Sequence, residues 1–360
     1  MARENVTRAP RRWSALEDYI HQLTPYDKFV SSIGKNGRPA KFETVDMADL
    51  TTIGSLPGKT GARVVTRRSS GICPTSRFVF KGIDFESYKR DGRDFREHQE
   101  KTLLHEIRTL HALPPHPNIM PCPRILAVVQ DCDNKRHICG FLQPAMERDL
   151  VDEQIMRANR AGRRLPAKLK AKWCYQMALA IQHTHQVAES FHMDLKPGNI
   201  LVDDENNLRL IDWEQSGFSM FTHPPEITVD QEAEEESRPG TAVDGGGGGG
   251  VVRPRIIYAP HVGGPRRNQK WGFPDWNVLP EWKTTCPRAA ELAEVFSLGR
   301  TMWMLLEQVG QSADRARWTA AAAARDVPEE WRDMVMRCIE RDPNNRPELD
   351  EVVAFWRRQV

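Results

Sequence analysis

The chain has 360 residues, of which 39% are hydrophobic, and its 51 Lys and Arg nearly balance its 49 Asp and Glu. This hydrophobic content supports a sizeable core and excludes a collagen-like or wholly disordered chain. The net charge of +2 leaves no basic surplus, so we expect neither nucleic acid nor an anionic membrane surface as partner.

The cysteines and the first residues indicate the cellular compartment. Seven cysteines are scattered without a CxxC spacing, which is typical of a reduced interior rather than of a disulfide framework or zinc site. Residues 1–13 are basic but lead into no apolar segment, and no run approaches the roughly 18 apolar residues of a membrane span. We therefore expect an intracellular protein, cytoplasmic or nuclear, with no membrane span.

The first part of the chain is predicted to be rich in strands. Residues 1–44 are read as a partly disordered N-terminal extension, in which Ser14 and Glu17 have the spacing of a capping box. That spacing predicts a short helix, which Pro25 ends. Residues 45–142 read as strands broken by turns and interrupted by one amphipathic helix.

From residue 143 to residue 357 the pattern changes to long apolar and amphipathic helices. Strands first and helices afterwards predict an α+β fold. Residues 222–270 fit neither part, because an acidic run, the glycines Gly245–Gly250 and a basic run follow one another. This composition predicts a flexible insert. It is read as a solvated insertion, and the alternative is an autoregulatory segment that occupies a substrate groove.

The strongest motif is HMDLKPGNILVDDENNLRLIDWEQSG, residues 192–217. Asn199 and Asp212 offer the hard oxygen ligands that Mg²⁺ prefers. Asp194 can accept a proton from an attacking hydroxyl or orient it, and Lys196 can supply a point charge to a transferring phosphoryl group. The residue types and their spacing therefore indicate phosphoryl transfer.

This segment resembles the eukaryotic-type protein kinase family, whose catalytic loop reads H-R-D-L-x-x-x-N and whose metal-binding turn reads D-F-G. Lys196-Pro197 resembles the serine/threonine subgroup. The residues that fall in register with the catalytic loop are His192, Asp194, Leu195 and Asn199.

The resemblance covers about residues 50–357. It implies a bilobal fold with a small β-rich N-lobe over residues 45–142 and a larger helical C-lobe over residues 143–357. It also implies ATP and Mg²⁺ as cofactors and Ser or Thr hydroxyls of protein substrates as acceptors. Neither the substrate nor the oligomeric state can be read from the residues.

The resemblance assigns further roles upstream of the catalytic loop. Lys81 in FVFKG is expected to be the phosphate-binding lysine, paired with a carboxylate of the amphipathic helix. Glu100 and Glu106 both fall within the apolar arc of that helix, where a carboxylate needs a partner. The sequence after the helix, His116-Pro-Asn118, resembles the family at this point and favours Glu106.

Two segments are expected to contact the nucleotide. The resemblance places the hinge at Gln143-Pro144-Ala145, where the Gln143 carbonyl and the Ala145 amide would bind adenine because Pro144 has no donor. A glycine-rich loop would cover the phosphates, although its spacing departs from G-x-G-x-x-G. Its candidate residues are Gly54, Gly58 and Gly61.

The same glycines come close to a second phosphate-binding motif. Residues 54–60 fall one residue short of the spacing G-x-x-x-x-G-K-T, and a predicted strand rather than a helix follows them. A P-loop requires a helix N-terminus at this point, so we do not assign one here.

Two residues near the C-terminus resemble structural positions of the family. Glu294 stands where an Asp usually anchors the backbone of the catalytic loop, and its longer side chain puts this anchor in question. Arg346 is expected to be a buried arginine that requires a carboxylate partner, since an unpaired buried charge is costly. Both Glu226 and Glu281 qualify as that partner.

Two departures from the family pattern bear on mechanism. Met193 replaces the Arg that pairs with a phosphorylated segment, so control by that contact is not expected. Trp213-Glu214 replaces Phe-Gly, which makes a flip of Asp212 harder. Asp-Trp-Glu also resembles the aminoglycoside and choline phosphotransferases. A small-molecule phosphotransferase and a pseudokinase without turnover are therefore the alternatives.

Overall fold

The computed structural model divides the chain into two compact units. The first comprises Met1–Leu113 and Pro121–Met146, and the second comprises Pro114–Met120 and Glu147–Val360. Gly58, Gly61 and all of the predicted insert from residue 226 onward lie outside the described part of the chain. The described residues are 9–35, 37–56, 62–67, 77–90, 93–146, 149–215, 217, 219–225, 288–312, 315–319 and 326–360.

The first unit is built on a mixed sheet. Its helices are α1 (Ala9–Gln22), α2 (Tyr26–Ser32), α3 (Phe85–Arg90) and α4 (Arg93–Ala112), and its strands are β1 (Glu43–Asp46), β2 (Leu50–Ser55), β3 (Ala62–Arg67), β4 (Arg77–Gly82), β5 (Ile125–Gln130) and β6 (Arg136–Pro144). The six-stranded sheet has the order β1-β5-β6-β4-β3-β2. Strand β1 pairs parallel to β5, and the other neighbours are antiparallel. The β-branched and aromatic residues of β3 and β4 suit such a pleated, half-buried surface.

The described residues before position 45 belong to this unit rather than standing apart from it. Tyr19 and Leu23 are buried in one apolar cluster, and Phe29 is buried in another. The Tyr19 hydroxyl donates a hydrogen bond to the Ile83 carbonyl at 2.7 Å. The predicted boundary at residue 45 therefore differs from the structure, because helix-spaced apolar residues of the N-terminal segment supply part of the core.

Strand register places Lys81 in the middle of the sheet. Lys81 in β4 pairs with Phe141 in β6, and Gly82 pairs with Gly140. A Cβ on Gly140 would lie 2.7 Å from the Lys81 carbonyl oxygen and 2.5 Å from the Phe80 ring. Only glycine permits this approach of β6 to β4 beside Lys81.

The second unit is largely helical. Its helices are α5 (Val151–Arg160), α6 (Ala167–Gln186), α7 (Ala289–Glu307), α8 (Glu329–Cys338) and α9 (Leu349–Arg357), and its short strands are β7 (Ile200–Val202) and β8 (Leu208–Leu210). Strands β7 and β8 form an antiparallel hairpin. The predicted α+β class, with a β-rich segment first and a helical segment afterwards, is confirmed.

Helix α7 is buried along most of its length. A Cβ on Gly299 would lie 2.5 Å from the Cys338 Cβ, so this glycine permits close packing of α8 on α7. Among the described helices, none is both long enough and apolar enough to span a bilayer.

Arg346 fixes the segment between α8 and α9. Its guanidinium donates to the carbonyls of Glu340 at 2.7 Å, Leu292 at 2.9 Å and Arg341 at 3.1 Å, and it lies 4.9 Å from the centroid of the Phe296 ring. The two carboxylates considered as its partner, at positions 226 and 281, lie outside the described residues.

We predict that Arg346→Lys lowers the free energy of unfolding by about 2–4 kcal/mol, because a single ammonium cannot reproduce donors aimed at three carbonyls. Urea unfolding of the full chain measures this loss. Arg160→Lys, at an exposed position at the end of α5, is the matched control and should change stability little. Equal losses in the two variants would contradict the role assigned to Arg346.

Candidate active site

The backbone of the catalytic loop is held by a carboxylate from the buried helix. Oε1 of Glu294 in α7 accepts hydrogen bonds from the amides of His192, at 2.7 Å, and Met193. Its Oε2 lies 2.7 Å from His185 Nε2 in α6. The longer side chain of Glu294 therefore reaches the loop, and its second oxygen binds another helix.

This carboxylate is fully buried, so it must be stabilised in its charged form. Burial by itself would raise the pKa of Glu294. The hydrogen bond with His185, the charges of His185 and His192 and the Met193 amide outweigh burial and lower the pKa. Glu294 therefore stays ionised at neutral pH.

Two side chains of the loop converge on one carboxylate oxygen of Asp194. Lys196 Nζ lies 2.5 Å from Asp194 Oδ2, and Asn199 Nδ2 lies 2.7 Å from the same atom. Asn199 Nδ2 also donates to the Asp194 carbonyl at 2.9 Å. The structure thus brings the three predicted residues together and restricts the orientation of Asp194.

The pKa of Asp194 is raised above its ordinary value. Burial is the main cause, the negative charge of Asp212 adds to it, and the Lys196 ammonium opposes it. A raised pKa makes Asp194 a better proton acceptor than an exposed aspartate.

Asp212 follows β8 and is placed by contacts with the catalytic loop. The Ile211 amide donates to the Asn199 carbonyl at 3.0 Å, and the Ile211 carbonyl lies 2.9 Å from His192 Nε2. The ring of Trp213 is fully buried and meets the His192 ring edge-on at 4.6 Å between centroids. The indole that replaces Phe in the family pattern therefore packs into the core beside Asp212.

The donor set at Asn199 and Asp212 is consistent with Mg²⁺. Asn199 Nδ2 is hydrogen-bonded to Asp194, so the amide nitrogen is used within the loop. The amide oxygen is the Asn199 atom of the kind that coordinates Mg²⁺. The second candidate ligand is the carboxylate of Asp212. An amide oxygen and a carboxylate are ligands that Mg²⁺ accepts.

In the first unit, Lys81 and Glu106 form an ion pair. Lys81 Nζ lies 2.7 Å from Glu106 Oε2, and the side chain of Glu106 is 3% exposed. Glu100, the alternative partner, accepts a hydrogen bond from the Thr24 hydroxyl at 2.6 Å. The structure therefore pairs Lys81 with Glu106 rather than with Glu100.

The hinge residues lie at the end of β6. Gln143 pairs with Val79 of β4, and the Ala145 amide donates to the Arg77 carbonyl at 2.9 Å. The adenine contact expected of the Ala145 amide would therefore require this bond to open. Gly54 lies in β2 beside a break in the register with β3, and the other two candidate glycines are outside the described residues.

Three residues that hold this site were not predicted from the sequence. They are His185, which binds Glu294, Gln215, which donates to Ser190 Oγ at 3.1 Å, and Thr222, which donates to the Leu195 carbonyl at 2.7 Å. A polar side chain on the inward face of α6 is a sequence signal for His185. Neither Gln215 nor Thr222 belongs to a spacing pattern, because each binds a segment that is distant in the sequence.

Comparisons with known proteins relate this chain to protein kinases. The sequence model named protein kinase domain matches residues 80–230. The chain is 28% identical over 114 residues to CBL-interacting serine/threonine-protein kinase 7 of Arabidopsis thaliana, covering 32% of this chain and 24% of that protein. It is 32% identical over 123 residues to a serine/threonine-protein kinase of Yarrowia lipolytica, covering 32% of this chain and 16% of that protein.

A longer match extends over more of the chain. A protein of Acanthamoeba polyphaga mimivirus, named as a serine/threonine-protein kinase or receptor, is 26% identical over 196 residues, covering 52% of this chain and 9% of that protein. The chain thus spans at most about a quarter of the length of these curated relatives.

We predict that Glu294→Gln lowers the free energy of unfolding at pH 7 by about 1–3 kcal/mol, since it removes a charged acceptor from buried donors. The pKa of Glu294 is lowered in the folded state, so its contribution is present above the unfolded pKa of about 4.3 and is lost as pH falls through the folded pKa. The deficit should therefore shrink in acid. Urea unfolding at pH 7, 5 and 3.5 measures it.

The matched control is Glu351→Gln, because Glu351 forms an exposed ion pair with Arg337. We expect this variant to change stability little at any of the three pH values. A Glu294→Gln deficit that is the same at pH 7 and pH 3.5 would contradict the charged anchor.

Proposed function

The chain belongs to the eukaryotic-type protein kinase family, and we propose that it transfers the γ-phosphoryl group of ATP, with Mg²⁺, to Ser or Thr hydroxyls of protein substrates. Serine/threonine specificity is supported by Lys196-Pro197 and by the names of the relatives. The matched segments cover only a small part of those relatives, so the activity of the whole protein is also proposed rather than shown.

The observation that carries the proposal is the arrangement around Asp194. Two donors from the same loop meet one oxygen of this carboxylate, and burial raises its pKa. An oriented carboxylate of raised pKa can accept the proton of a substrate hydroxyl. Lys196, held beside it, can stabilise charge that develops on the transferring phosphoryl group.

Asn199 and Asp212 would hold Mg²⁺ through the amide oxygen and the carboxylate. When bound, the cation supplies positive charge to the phosphate oxygens of the nucleotide. The chain holds Asp212 for this role through the hydrogen bonds of Ile211 with the catalytic loop.

Lys81 is proposed to bind the nucleotide phosphates. Its ion pair with Glu106 orients the ammonium, and its side chain remains 22% exposed. Gln143 and Ala145 would contact the adenine, and Gly54, Gly58 and Gly61 would lie near the phosphates.

A pseudokinase is the second candidate, and two observations favour it. The Ala145 amide, which would bind adenine, is hydrogen-bonded to the Arg77 carbonyl. The glycine spacing also departs from the pattern that covers phosphates in the family. Such a protein would bind a nucleotide or a partner without turnover.

We predict that Asp194→Ala lowers γ-phosphoryl transfer at least about 10²-fold, since it removes the proton acceptor. The measurement is incorporation of label from Mg-ATP into the chain itself, into generic Ser/Thr proteins and into aminoglycosides or choline. Asp133→Ala, at a side chain 68% exposed in the turn between β5 and β6, is the matched control and should retain activity.

The outcomes of this experiment separate the candidates. Label on Ser or Thr of protein that depends on Asp194 supports the proposed kinase. Label on a small molecule would assign the chain to the small-molecule phosphotransferases. Absence of any label that depends on Asp194, together with nucleotide binding, would favour the pseudokinase.

We predict that Lys196→Ala moves the acid limb of the pH–rate profile to higher pH. The pKa of Asp194 is already raised, and removal of the ammonium that lowers it raises it further. Asp194 must be ionised to accept a proton, so activity is lost as pH falls through this pKa. The measurement is kcat/KM against pH.

Two controls accompany this profile. Lys196→Arg retains the positive charge, so its limb should lie near that of the native chain. Lys172→Ala removes a surface lysine that donates to the Glu205 carbonyl, and it should leave the limb unchanged. An unshifted limb in Lys196→Ala would contradict the electrostatic coupling between Lys196 and Asp194.

A further inference from the structure

A buried amide connects the segment that follows Asp212 to the segment that precedes Asp194. Gln215 is 4% exposed, and its Nε2 donates to the Phe191 carbonyl and to Ser190 Oγ, the latter at 3.1 Å. The segments that carry Asp194 and Asp212 are therefore joined by the hydrogen bonds of Gln215 as well as by those of Ile211.

The backbone around this link is strained. Met193 has φ 70°, Asp212 has φ 72° and Gln215 has φ 50°, all in the left-handed region that favours glycine. Such conformations persist only where surrounding contacts hold them in place. The amide of Gln215 supplies two of these contacts at a position where the chain carries no glycine.

The far end of the same segment is held through Thr222, and Arg300 Nε donates to the carbonyl of the neighbouring Phe221 at 3.2 Å. Thr222 donates through its hydroxyl to the Leu195 carbonyl, and its own carbonyl accepts from the Ser297 hydroxyl at 2.9 Å. The Met193 side chain is fully buried against Phe191 and Ala293. The acceptors of the Gln215 and Thr222 side chains are therefore carbonyl and hydroxyl oxygens, and none of these bonds requires a phosphate group.

We propose that Gln215 is a positioning residue that holds Asp212 relative to Asp194 in the unmodified chain. This inference rests on the proposed kinase function. Its consequence is that the arrangement needed for phosphoryl transfer exists without phosphorylation of the segment, because a neutral amide maintains it. This role requires no contact of Gln215 with the substrate hydroxyl or the nucleotide.

The first test compares Gln215→Glu and Gln215→Gly with the native chain. Gln215→Glu is nearly isosteric but replaces the donor by an acceptor that faces the Phe191 carbonyl. Gln215→Gly removes the amide and also relieves the left-handed backbone. We expect both variants to lower kcat at least about 10-fold and to raise the Mg²⁺ concentration at half-maximal rate, with little change in the KM for the protein substrate.

Gln308→Glu is the matched control. Gln308 is also 4% exposed with φ 60°, and its Nε2 donates to the Arg163 carbonyl at 3.2 Å, at the end of α7. We expect this variant to lower the melting temperature and to leave kcat and the Mg²⁺ dependence unchanged. An equal loss of kcat in the control would overturn a specific role for Gln215.

A second readout does not depend on activity. Hydrogen–deuterium exchange of the apo chain should be faster in residues 190–194 and 211–215 of Gln215→Gly than in the native chain. If native protein transfers no phosphate, the proposed function fails, whereas this exchange measurement still tests the link. Unchanged exchange in both segments would overturn the inference.

Phosphatase treatment of the native chain completes the experiment. We expect the treated chain to retain its kcat, and mass spectrometry verifies that phosphate has been removed. A large loss of rate after treatment would overturn the statement that the neutral amide suffices. Full activity of Gln215→Gly would also overturn it, and this variant remains informative if Gln215→Glu fails to fold.

Discussion

One buried carboxylate determines the geometry of the candidate site. Glu294 binds the amides of His192 and Met193 with one oxygen and His185 with the other. An ionised carboxylate in the core is costly unless donors surround it. The same donors that offset this cost fix the catalytic-loop backbone to two helices. Asp194 is positioned by this attachment, because it follows the anchored residues directly.

Other contacts of the site hold the segment of Asp212 against the catalytic loop. The catalytic loop binds both backbone groups of Ile211, and the indole of Trp213 fills the core next to His192. Left-handed residues on both segments show that local backbone preference does not determine the conformation. The hydrogen bonds from Gln215 to Ser190 and Phe191 and from Thr222 to Leu195 help to hold it instead.

In the first unit, strand packing and a helix position Lys81. Close approach of β6 to β4 at two glycines sets the strand that carries Lys81, and α4 provides Glu106. The N-terminal segment completes the apolar clusters around the sheet through residues such as Tyr19. A segment that a family pattern leaves out thus became part of the core, because its apolar residues recur at helical spacing.

The sequence by itself determined the α+β class and predicted Asp194, Lys196, Asn199 and Asp212 as the residues of phosphoryl transfer, since local spacing and residue chemistry are enough for both. It left open which glutamate binds Lys81, because Glu100 and Glu106 share one helical arc. It also missed Gln215. Only the tertiary structure decided these points, because hydrogen bonds between distant segments depend on packing and leave no periodic signal in the sequence.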